Sequence, residues 1–114
     1  MSINLVSPAT PAIRWTDVVK YPAVGSARVY VLEDANCKYA LVSVVGDSEI
    51  SEHTSPRNAT VNVIEGSGTL TIEDSEVRLA AGVFAFVPAN KRHAITAATN
   101  LSFLLTLSEA VVSG

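Results

Sequence analysis

The sequence predicts a single all-β domain, a sandwich or barrel of short strands. Sixteen Val, six Ile and nine Thr in 114 residues make a strong β-branched bias. Such side chains fit a pleated surface and lose χ1 freedom in a helix. Short apolar runs recur at regular spacing between turn residues, and none is long enough to read as an extended helix. The length suits one domain with one core and leaves no room for a catalytic domain beside a separate binding domain.

Residues 1–12 hold Pro8 and Pro11 and show no periodicity, so residues 1–27 read as an N-terminal segment, a tail or edge strand. Within it, 13–19 (IRWTDVV) forms a short turn or helix that Pro22 closes. A barrel then runs over 28–107. RVYVLE (28–33) and KYALVSVV (38–45) flank a polar turn with Asp34 and Asn36. TVNVI (60–64) passes through Glu65-Gly66-Ser67-Gly68 into TLTIE (69–73), which reads as a hairpin with glycine at positive φ. Asp74-Ser75 turns into EVRL (76–79), and FAFV (84–87) ends at Pro88, which cannot donate to a ladder. HAITA (93–97) and LSFLLTL (101–107) complete eight strands, and 108–114 is a C-terminal tail. Leu70/Ile72, Val77/Leu79 and Phe84/Phe86 alternate as core residues or pocket walls do.

Composition excludes several functions. The net charge is −3, and the eight Lys and Arg are scattered rather than gathered in the basic stripe that neutralises phosphates. No apolar run approaches the roughly 20 residues that cross a bilayer, and MSINLVSPATP lacks the n- and h-regions of a signal peptide. The single cysteine, Cys37, has no internal disulfide partner and lies in a turn. The expectation is a cytoplasmic protein that binds neither nucleic acid nor membrane. No acid is placed to orient a histidine in a Ser-His-Asp arrangement, and no paired carboxylates or glycine-rich phosphate loop are present.

Two stretches carry the chemical information. The first runs from Gly46 through His53, Ser55 and Ala59 to Gly66; the second runs from Gly82 through Pro88, Asn90 and His93 to Ala97. They resemble the two motifs of the cupin family. The first motif is Gly, five residues, His, one residue, His, three or four residues, Glu, six residues, Gly. The second is Gly, five residues, Pro, one residue, Gly, two residues, His, three residues, Asn. Gly82, Pro88 and His93 match the second motif, with Asn90 in place of Gly and Ala97 in place of Asn. Asn tolerates the left-handed backbone region that glycine serves. In the first motif His53 and Gly66 match, Gly46 lies one residue too far upstream, Ser55 replaces the second His and Ala59 replaces the Glu.

The resemblance implies a double-stranded β-helix, or jelly roll, of the RmlC-like kind, usually dimeric, with a central pocket. In the family, three histidines and a glutamate hold one divalent transition metal such as Zn, Ni, Fe or Mn. Carried over residue by residue, those roles leave His53 and His93 as candidate ligands. Catalytic zinc normally takes three protein ligands, and Fe or Mn sites want a carboxylate. Two imidazoles beside a hydroxyl and a methyl make a weak site. If no bulge intervenes, Glu49 shares a strand face with His53 and would reach the pocket rim, while the nearer Glu52 points the other way.

The expected pocket therefore contains His53, Ser55, Ala59, His93, Ile95 and Ala97. It binds a small molecule with metal held weakly or not at all, and Arg57, Lys91 and Arg92 in the adjacent loops would favour an anionic ligand. Asn62 falls on the face opposite Ala59 and Val61, toward solvent or an interface. An alternative is a metal-dependent dioxygenase or isomerase with an incomplete ligand set, or an enzyme using a histidine as general base, since an unperturbed imidazole titrates near ~6.5. A third is a regulatory module acting through a partner protein. A homodimer is expected in each case.

Overall fold

The computed structural model describes residues 4–109. One helical turn, α1 (Trp15–Val18), precedes nine strands: β1 (Ser26–Glu33), β2 (Cys37–Val44), β3 (Glu49–His53), β4 (Asn58–Glu65), β5 (Ser67–Ile72), β6 (Ser75–Ala80), β7 (Phe84–Val87), β8 (His93–Ala97) and β9 (Leu101–Ser108). They form two antiparallel sheets, ordered β1-β2-β9-β4-β7 and β3-β8-β5-β6. The sheets face each other as an open sandwich, which is the jelly roll that the motifs imply. No described helix is long and apolar enough to cross a membrane.

The ninth strand, β3, is the element that composition does not announce. Its sequence, EISEH, is polar and largely exposed, so burial does not stamp a pattern on it. The reading of 65–68 as a hairpin loop is corrected. β4 pairs with β7 and β9, whereas β5 pairs with β6 and β8, so the chain changes sheets at Gly66. Gly66 does adopt positive φ, +88°, but the reason is a corner: a Cβ there would run into the carbonyl oxygen of Asn100.

The core lies between the sheets. Ala40, Val42 and Val44 of β2, Val61 and Val63 of β4, and Leu101 and Phe103 of β9 project from one side. Leu70, Leu79, Ile95 and Ala97 meet them from the other. Phe84 and Phe86 are not among them, contrary to the alternation reading. They are 65% and 50% exposed, and the small residues Ala85 and Val87 point inward instead. β7 pairs with β4 in the register Ala59↔Val87 and Val61↔Ala85, so packing against the buried β4 residues decides which parity faces in. Asn62 faces outward with the phenylalanines, as its parity requires.

Of the described residues before β1, Leu5 and Val6 lie against the edge strand β1 and Tyr21 lies over the outer face of the five-stranded sheet. The backbone N–H groups of Leu5 and Val6 donate to the carbonyls of Tyr30 and Val31. Farther along, the Tyr21 hydroxyl donates to Glu65 at 2.7 Å and accepts from Ser102 at 2.9 Å; Ser102 in turn lies 2.9 Å from the Ser43 hydroxyl. This relay satisfies the buried polar side chains of Ser43 and Ser102.

The two ends of the sandwich are tied unequally. Four connections cross between sheets at one end: 45–48, Gly66, 81–83 and 98–100. Only 54–57 and 88–92 cross at the other. That second end is the mouth, where both histidines lie.

A histidine pair at the mouth of the sandwich

β3 and β8 are neighbours, and their register sets His53 directly opposite His93. The ring centroids are 4.2 Å apart with the planes tilted by 57°. The pairing depends on an irregularity in β3. Ile50 is opposite Ile95 and His53 is opposite His93, so three residues of β3 span two of β8. This bulge turns His53 onto the same face as Ile50, which packs against the core. Glu49, paired with Thr96, is left on the outer face with exposed neighbours. The expectation that Glu49 shares a face with His53 fails because it assumed unbroken alternation.

Each imidazole is anchored by the backbone carbonyl two residues before it. Nδ1 of His53 lies 2.8 Å from the Ser51 carbonyl oxygen, and Nδ1 of His93 lies 2.9 Å from that of Lys91. A carbonyl only accepts, so in the neutral rings the Nδ1 atoms carry the protons and each Nε2 keeps its lone pair. His93 is half-buried, and His53 is exposed.

The other expected pocket residues sit at different depths. Ser55 is half-buried at the mouth, where its hydroxyl accepts the Arg57 N–H at 3.2 Å and its carbonyl accepts the Asn90 N–H at 2.7 Å. Asn90 has φ +67°, the left-handed conformation foreseen for the residue replacing glycine. Ala59, Ile95 and Ala97 are buried in the packed core. Ile95 lies beneath His93 on the same face, and Ala97 lies deeper still, toward the closed end. The histidines and Ser55 are thus the members that reach solvent.

Of the three loop cations, Arg92 is committed. Its Nε and Nη2 both lie 3.0 Å from one carboxylate oxygen of Glu73, and this hydrogen bonding holds the Glu73 carboxyl below the usual carboxylate range. Arg57 meets Glu109 more loosely, Nη2 to Oε1 at 3.5 Å. Glu109, one residue past β9, escapes sequence reasoning because it falls within a stretch that reads as tail. The inward parity of Leu105 and Leu107, extended by one step, would have found it.

The donor set does not fit a three- or four-ligand metal centre. Among the described residues no group of three or more His, Cys, Asp and Glu side chains converges, so the two imidazoles stand without a protein partner for the ion. What the pair can do chemically is accept hydrogen bonds or a proton at Nε2 of each ring, beside the half-buried Ile72 that pairs with His93.

Comparison with known proteins agrees with this architecture. Among solved structures, a conserved protein of unknown function from Streptococcus pyogenes superposes with a TM-score of 0.83 at 23% identity, over 98% of this chain and 97% of that one. A cupin superfamily protein from Desulfitobacterium hafniense gives 0.82 at 17% identity, over 96% and 98%. An RmlC-like cupin from Shewanella frigidimarina gives 0.72 at 21%, over 75% and 78%. These likenesses establish the fold. No curated protein matches the sequence. The Cupin domain family profile matches residues 40–107, well over half of the chain, and the protein belongs to the cupin family.

Proposed function

We propose that this cupin domain binds a small molecule at the mouth of its sandwich, against the His53–His93 pair, with metal held weakly or not at all. The observation that carries the reading is the pair itself: two imidazoles with ring centroids 4.2 Å apart, each oriented by a backbone carbonyl, at the open end of an apolar interior. Ser55 and Ala59 stand where the family places ligands, and the bulge in β3 leaves Glu49 on the face opposite His53. Two neutral donors give a divalent ion too little to outcompete water. A small molecule asks less, namely an apolar wall and a few fixed polar atoms.

The test is metal content per chain by plasma mass spectrometry, together with native mass spectrometry for copurifying compounds, on untagged protein. The His53→Ala/His93→Ala variant is the control. The expected result is metal well below one ion per chain, and any copurifying small molecule lost in the variant. One tightly held ion per chain, lost in the variant, with turnover that chelators abolish, overturns the proposal.

A second reading uses the same pair as a general base. The Nδ1-to-carbonyl anchoring favours it, because it fixes the tautomer that leaves Nε2 basic. If neither His53→Ala nor His93→Ala alters conversion of a substrate, that reading fails.

A further inference from the structure

We propose that Arg57 is the anchor for a carboxylate on the bound molecule, and that Glu109 occupies this anchor as an internal competitor. The inference rests on the small-molecule reading above and assigns its ligand class. On β4, Ala59, Val61 and Val63 face the interior, and Arg57 continues the same parity at the strand's entry. On β9, Phe103, Leu105 and Leu107 do the same, and Glu109 follows. Asn58 is in register with Ser108, so Arg57 and Glu109 meet at the inner margin of the five-stranded sheet. The inner margin of the facing sheet ends in His53 and His93, about 10 Å away at ordinary sheet spacing. The 88–92 loop is fastened to the Arg57 loop by the N–H of Asn90 on the Ser55 carbonyl at 2.7 Å and the N–H of Ala89 on Asn58 Oδ1 at 3.0 Å. Arg57 is thereby held over the mouth.

The guanidinium is incompletely used. Its side chain is only 28% exposed, and Nη1 is buried with no hydrogen-bond partner among the described residues. Among the described residues its acid contact is a single Nη2–Oε1 approach at 3.5 Å, well beyond the ~2.7–2.9 Å of a good charge-assisted bond. Glu109 is 65% exposed and so is easily displaced. A planar carboxylate arriving from the mouth displaces Glu109 from Nη2, and the fork geometry of arginine lets it reach Nη1, without a partner among the described residues, once Glu109 has left. The ligand is then a small carboxylate with an apolar body. A hydrogen-bond donor at its far end, such as a hydroxyl, suits the two Nε2 lone pairs.

The experiment uses acetate, lactate, benzoate and 4-hydroxybenzoate, each against its own amide, and follows the imidazole signals of His53 and His93 by NMR. Carboxylates are expected to shift these signals saturably. Arg57→Gln should weaken them about 10-fold or more, Arg57→Lys less, and Glu109→Gln should tighten them about 3-fold, with the amides indifferent to all three. Should Arg57→Gln fail to fold, the tightening by Glu109→Gln still decides. If amides bind as well as carboxylates, or Glu109→Gln weakens binding, the anchor is overturned while the pocket stands. If no compound of either kind moves the imidazole signals, pocket and anchor fall together.

Discussion

The closed end and the mouth of this sandwich are built from the same strands yet packed to different standards. At the closed end four crossings draw the sheets together, and Val44, Leu70, Leu79 and Leu101 are fully buried. The loops there satisfy one another: Gly46 N–H donates to Asn100 Oδ1 at 2.9 Å and Ser67 N–H to Thr99 Oγ1 at 3.0 Å. At the mouth Ile72 and Leu107 are only half-buried, His53 is exposed and Arg57 keeps a nitrogen without a partner among the described residues. The difference teaches that stability and recognition are separated along one axis. Chain crossings seal one end so that the other can leave side chains partly unused.

That contrast can be broken most forcefully at Leu101. Leu101→Ala leaves a cavity in a site with no slack and should cost about 3–4 kcal/mol by urea unfolding. Leu107→Ala, at the half-buried margin, should cost about 1–2 kcal/mol. Equal losses would mean that the mouth is as tightly packed as the closed end.

The Tyr21 strap gives the next effect. Burial, chiefly, pushes the Tyr21 hydroxyl from its ordinary 10 up to about 12. A raised pKa means the folded state holds the proton more firmly, so this contribution is complete below pH 10 and fades as pH rises from 10 to 12. Tyr21→Phe should destabilise by about 1 kcal/mol at pH 8. The gap between the two proteins should narrow through that window, as urea melts at successive pH values would show. A gap that widens on the alkaline side would contradict the raised pKa.

Smaller still are changes at the site and on the outer face. His53→Ala should alter stability by no more than about 0.5 kcal/mol, because the ring is exposed, while abolishing whatever the mouth binds. Phe84→Ser should likewise stay within about 0.5 kcal/mol, whereas Val87→Ala, three residues away but facing inward, should cost about 1–2 kcal/mol. Thermal melts of the two variants side by side would check this.

The sequence discloses strands wherever burial imposes alternation, and it misleads where burial is one-sided or interrupted. Leu70, Leu79 and Val61 declare themselves. Phe84 and Phe86 do not, because on a short strand the identity of the inner face is settled by the neighbour's register and not by size. The Gly66 corner looks like a hairpin because a tight change of sheet and a tight reversal ask the same backbone freedom of glycine. Both histidines were legible from motif spacing, but their contact depends on a bulge that no residue in EISEH marks. Arg57 could be named from its loop; its pairing with Glu109 required knowing which strands sit side by side.

The position of β9 has a consequence for how the chain is made. It lies between β2 and β4 and completes the five-stranded sheet, yet it follows every other strand in sequence. During synthesis β2 and β4 must wait with open edges until residues 101–108 have left the ribosome. A nascent chain stalled before residue 101 should therefore be protease-sensitive throughout, with protection arriving in one step once β9 emerges.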